Sequence, residues 1–155
     1  MKNIFAKLII FLLLTLTLIS VSCKKKNDRI PYVSVGVYIN PNLAIYNSIK
    51  TPGNYLYLEE IDKDFNYNTN YGYAGIILYC LYPDIYKAYE RNCPHNPFNK
   101  NSILDVDSTN LFMVCRDCGS KFSIIDGTQM SGPSKNAIVE YKTNLINDYT
   151  LYIYN

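Results

Sequence analysis

Two short stretches of this 155-residue chain hold residues of metal-ligand type at metal-ligand spacing. Cys93-Pro94-His95 puts a thiol and an imidazole one residue apart. After nineteen intervening residues, Cys115-Arg116-Asp117-Cys118 puts two thiols on either side of two residues. Either spacing lets both side chains of a turn face one point, and thiolate with imidazole suits zinc or iron. His95 is the only His in the chain, so no second imidazole competes for the site. With that residue committed to a ligand pair, no Ser-His-Asp or Cys-His catalytic set remains. The expected chemistry is therefore metal binding rather than catalysis, and the chain is not expected to be an enzyme. Glu59, Glu60, Asp62 and Asp64 crowd one polar stretch, which reads as solvation rather than as a paired acid and base.

Both ligand pairs sit between strand signals. Gly75 to Leu81 is apolar at nearly every position, so both of its faces are expected to be covered. Tyr82-Pro83-Asp84 turns the chain, and Ile85 to Glu90 returns as a partner strand that delivers Cys93 and His95 at its end. Leu111 to Val114 leads into Cys115, and Phe122 to Ile125 leads out of Cys118, as a hairpin around the second pair. Further strands are expected over 30–39, 55–58, 103–106, 137–141 and 149–154. One helical turn is expected within 43–49. Asp62 to Tyr73 reads as a long loop, and Ser131-Gly132-Pro133-Ser134 as a third loop beside the two ligand loops. Sixteen Tyr with frequent Ile and Val suit strands. The fold class expected is all-β, with about eight to ten short strands in stacked antiparallel sheets.

The constellation resembles the Rieske [2Fe–2S] domain over residues 30–155, with one departure. That family writes C-x-H followed by C-x-x-H, and here Cys118 stands at the fourth position. The resemblance implies an iron held by Cys93 and Cys115, a second iron held by His95 and Cys118, and single-electron transfer to an unknown redox partner. It also implies that the Ser120 hydroxyl donates to a cluster sulfur and that Gly132-Pro133 covers the cluster, which makes Ser120 and Pro133 cofactor-binding residues. Phe122 stands where high-potential members carry Tyr, and Phe98 and Asp117 replace the cysteines of the respiratory-chain disulfide. Exchanging a neutral imidazole for a thiolate adds negative charge, so such a centre should have a lower potential than an ordinary Rieske centre.

The residues by themselves leave alternatives open. Three Cys and one His also make a closed tetrahedral zinc site. In an exported protein the thiols could instead form a disulfide, Cys115 with Cys118 or Cys93 with Cys115, on a purely structural or adhesive scaffold. Cys80 lies within the most apolar strand and reads as a buried thiol rather than a ligand.

The N-terminus assigns a compartment. Lys2 and Lys7 precede an apolar run, Leu8 to Ile19, and small residues Ser20 and Ser22 lead to Cys23, as in a secretory signal. An uncleaved membrane helix is the alternative reading. Leu18-Ile19-Ser20-Val21-Ser22-Cys23 resembles a bacterial lipobox, which implies a signal over 1–22, acylation of Cys23, a tether over 23–29 and a periplasmic or outer-membrane lipoprotein. More than one acyl chain anchors stably, whereas a single chain binds a membrane reversibly. Loss of Lys2 and Lys7 from 15 basic residues leaves 13 basic against 13 acidic. That balance gives no reason to expect a nucleic-acid partner.

Overall fold

The computed structural model describes residues 29–59 and 70–155. The expected signal 1–22, Cys23 with the tether through Asp28, and the acidic residues Glu60, Asp62 and Asp64 lie outside the described residues. Among the described residues no helix is long and apolar enough to cross a membrane.

The protein is all-β, as expected. Among the described residues the strands are β1 (Gly36–Ile39), β2 (Tyr55–Leu58), β3 (Ile76–Tyr82), β4 (Ile85–Glu90), β5 (Leu104–Val106), β6 (Phe112–Cys115), β7 (Lys121–Ser123), β8 (Gln129–Ser131), β9 (Glu140–Asn147) and β10 (Thr150–Tyr154). A single 3-10 turn, Asn47–Lys50, stands between β1 and β2. A six-stranded sheet runs β1-β10-β9-β4-β3-β2, and a four-stranded sheet runs β5-β6-β7-β8. Every neighbouring pair is antiparallel. In chain order the small sheet is inserted between β4 and β9 of the large one.

β3 explains its own unbroken apolar run. Side chains alternate across a strand. Ile76, Leu78 and Cys80 enter one core, which Val37, Ile39, Leu151 and Ile153 also enter from the far end of the same sheet. Strands at opposite ends of one sheet can share a core only if the sheet curls, and it does, into a half-barrel. Ile77 and Tyr79 point the other way, into a second core with Leu104, Met113, Phe122 and Ile124 of the small sheet and its turn. Each fully buried Ile or Leu contributes about 1.5–3 kcal/mol. With Ile76, Ile77 and Leu78 all fully buried, β3 holds both layers together.

The two layers are also joined by polar contacts at the end of β4. Glu90 is buried, and its carboxylate accepts four hydrogen bonds: from the Tyr73 and Ala74 amides at 2.7 and 2.9 Å, the Asn92 amide at 2.9 Å and the Tyr141 hydroxyl at 2.6 Å. The next residue, Arg91, is also buried. Its guanidinium donates to the Leu104 carbonyl at 3.2 Å and to Asp105 at 3.0 Å, pairs with Glu59, and lies 4.0 Å from the Tyr57 ring centre. Tyr57 Oη in turn accepts from the Val106 amide at 2.9 Å. A buried charge is tolerated only when so satisfied. Glu59 thus fixes Arg91 rather than only solvating a loop.

The strand expectations need three adjustments. The first strand covers only Gly36–Ile39, while the segment before it is fastened by Asn155, whose side chain accepts from the Val35 amide at 3.2 Å and donates to the Val33 carbonyl at 2.7 Å. The strand expected over 137–141 is β9, shifted to Glu140–Asn147. Its mixed, largely exposed sequence is kept extended by β4 on one side and β10 on the other. β8, three exposed residues ending at Ser131, was not expected; pairing with β7 makes it a strand.

Candidate metal centre

The small sheet exists at the end of a chain segment that turns repeatedly. After β4, an isolated bridge between Asn92 and Ile103 closes the first ligand loop. The Cys93 amide donates to the Ser102 carbonyl at 2.7 Å, and the Asn96 amide returns to the Cys93 carbonyl at 3.2 Å. The Asn92 side chain donates to the Asn99 carbonyl at 2.6 Å across the same loop. These bonds fix Cys93 in the second core, while His95 stands exposed on the turn that follows.

The second ligand loop is the β6–β7 hairpin. Val114 pairs with Lys121 as its last register pair. The Cys115 amide then donates to the Ser120 carbonyl at 2.9 Å, and the Gly119 amide to the Cys115 carbonyl at 3.0 Å. Gly119 has φ +70, the left-handed conformation that lets the loop close in so few residues. Leu104 of β5 lies opposite Cys115, which brings the first loop alongside the second.

The result is a three-sulfur cluster. The sulfurs of Cys93, Cys115 and Cys118 all lie within 4.8 Å of one another. Cys93 Sγ and Cys118 Sγ are 3.7 Å apart, and all three thiols are free. Cys93 and Cys115 are buried, and Cys118 is half-buried at the surface edge. Three thiols so placed could hold a metal ion. The His95 ring is not among the groups inside that radius, so the described conformation brings together three of the four expected ligands. Cys80 is buried in the other core, on the opposite face of β3, and its thiol donates to the Tyr82 carbonyl at 3.2 Å.

Hydroxyls flank two of the sulfurs. The Ser102 hydroxyl lies 3.6 Å from Cys115 Sγ. Cys118 Sγ donates to Ser120 Oγ at 3.2 Å. Burial pushes the Cys93 thiol well up, the His95 amide opposing it only in part and the neighbouring Cys115 and Cys118 thiols adding to it. Burial also acts upward on Cys118, but Ser120 and the two neighbouring thiols outweigh it and hold this thiol below its ordinary value. A thiolate-binding ion displaces the thiol protons, and the neighbouring hydroxyls, once they turn to donate, then stabilise the thiolates.

The third loop braces the second. Ser120 is buried, and its Oγ accepts from the Ser134 amide at 3.0 Å. Gly132, at φ +93, comes so close that a Cβ there would stand 2.5 Å from Ser120 Cα and 3.0 Å from its Oγ. Pro133 is exposed on that loop, beside the residue that touches Ser120 rather than inside the thiol cluster. Phe122 is buried under the hairpin, and Phe98 and Asp117 are exposed.

Sequence reasoning missed Ser102, Ser134 and the Glu90–Arg91 pair. Nothing in a lone loop serine marks it as facing a sulfur. The acid–base pair did carry a signal, two adjacent charges ending a buried strand just before Cys93. Comparison with known proteins finds no family model that matches the chain and no matching curated protein.

Proposed function

We propose that this chain is an exported, membrane-anchored metal–thiolate protein of Rieske-like build, whose centre passes single electrons to a partner protein. Cys93, Cys115 and Cys118 supply the thiolates, and His95, exposed two residues beyond Cys93, supplies the fourth ligand. One observation carries the reading: three thiols from two loops converge, and one of them, Cys118, reaches the surface. A redox centre must come close to its partner, so an exposed edge suits electron transfer and has no value to a buried staple. The lipobox-like Cys23 keeps the domain at a membrane surface.

A second reading is a structural zinc site, closed by the same four residues. It draws on the 3.7 Å sulfur separation, which suits a tetrahedral zinc ion. The two readings divide on spectroscopy. Protein isolated from its native membrane should absorb in the visible and give a paramagnetic signal in one oxidation state. Colourless protein that carries zinc refutes the electron-transfer reading.

A further inference from the structure

The Rieske resemblance implies two irons bridged by two sulfides, and the sulfur positions do not fit that cluster. Cys93 and Cys115 would serve one iron, and Cys118 with His95 the other. Ligands on different irons are held apart by the bridging sulfides and by the separation of the two metals. Cys93 Sγ and Cys118 Sγ should then be the distant pair. They are 3.7 Å apart, and no sulfur of the set is more than 4.8 Å from another. Two thiolates about 2.3 Å from a single tetrahedral ion stand about 3.8 Å apart. The observed separation is that of two ligands sharing one ion.

The donors around the site agree. A two-iron cluster adds bridging sulfides, which are stabilised by hydrogen bonds of their own. The Ser102 and Ser120 hydroxyls are each engaged with a cysteine sulfur, at 3.6 and 3.2 Å. The third loop cannot withdraw to make space without breaking the Ser134–Ser120 bond and the close Gly132 contact.

From this geometry we infer that the centre is mononuclear: Cys93, Cys115 and Cys118 bind one thiophilic divalent ion together, and no bridged cluster forms. This rests on the metal–thiolate reading above and narrows it. Cys118 is then not a replacement for one Rieske histidine on a second iron. It is the third thiolate of a single ion, drawn in by the tight hairpin and the buried Ser120.

The test uses the full chain, exported by its native route and isolated from membranes. Metal and acid-labile sulfide are counted per chain, and X-ray absorption is recorded at the edge of the metal found. One ion per chain, no labile sulfide, three sulfurs in the first shell and no metal–metal scattering is the expected result. Two irons with two sulfides per chain overturns the mononuclear inference and leaves metal–thiolate binding standing. One zinc per chain supports the inference and removes the electron-transfer reading. A chain without metal, its thiols free or joined as Cys93–Cys118, overturns both.

Discussion

Gly132 and Gly119 offer a matched pair of substitutions that tests how the third loop supports the centre. Both glycines have positive φ, +93 and +70. A side chain at either therefore meets backbone strain, about 1–2 kcal/mol for the left-handed conformation. Their surroundings differ. A Cβ on Gly119 meets nothing within 4 Å, whereas one on Gly132 meets Ser120 Cα at 2.5 Å and Ser120 N at 2.9 Å. Those atoms are backbone of the ligand hairpin and cannot swing away. Overpacking of this kind costs a further 1–3 kcal/mol or so. Gly119→Ala should thus lose about 1–2 kcal/mol and Gly132→Ala about 2–5 kcal/mol. Urea unfolding measures both, with the midpoint moving and the slope unchanged. Displacing Ser120 also disturbs the hydroxyl that Cys118 Sγ contacts at 3.2 Å, and loss of such outer-shell partners typically weakens metal binding about 10–100-fold. Gly132→Ala should show that loss in a chelator competition, and Gly119→Ala should show little of it. Equal stabilities for the two variants, or unchanged metal affinity in Gly132→Ala, would refute the bracing role of the third loop.

Four other outcomes are expected. Glu90→Gln replaces an all-acceptor carboxylate that receives four hydrogen bonds with an amide that must aim donors at donors; it should destabilise by about 2–4 kcal/mol, and Tyr141→Phe, which removes one donor, by about 1.5–3 kcal/mol, both read by urea unfolding. Partial burial pushes the Asp105 carboxyl up, but hydrogen bonds and charge from Arg116 and Arg91 outweigh it and hold it below the ordinary carboxylate value. A group depressed on folding stabilises fully above its unfolded value, about pH 4, and loses that contribution as pH falls through the lower folded value; Asp105→Asn should flatten the acid limb of the stability profile there and leave its slope near neutral pH unchanged. Cys118→Ala should lower bound metal measured by mass spectrometry, while Cys80→Ala, in the other core, should retain it. Cys23→Ser should release the protein from membranes or leave its signal uncleaved, read by fractionation and intact mass.

The sequence alone carried the local decisions. β2 and β4 occupy the residues that their composition and flanking turns assign, Tyr55–Leu58 and Ile85–Glu90. That Cys93, Cys115 and Cys118 sit on two turns was legible, because the spacing of residues on a turn is a property of a few adjacent residues; that their sulfurs meet was not. Long-range pairing decided the rest. Alternation within β3 shows that Cys80 and Tyr79 face opposite ways, but not which face meets the small sheet; that sheet's packing put Cys80 away from the thiols. Glu90 and Arg91 gain their roles from partners at Tyr141, Leu104 and Asp105, and β9 is extended because two neighbours hydrogen-bond it. The 3.7 Å between Cys93 and Cys118 is likewise set by two loops 25 residues apart. Chain-local propensity can select a turn or a strand, but the distance between two loops depends on sheet register and core packing, which arise only when the layers meet.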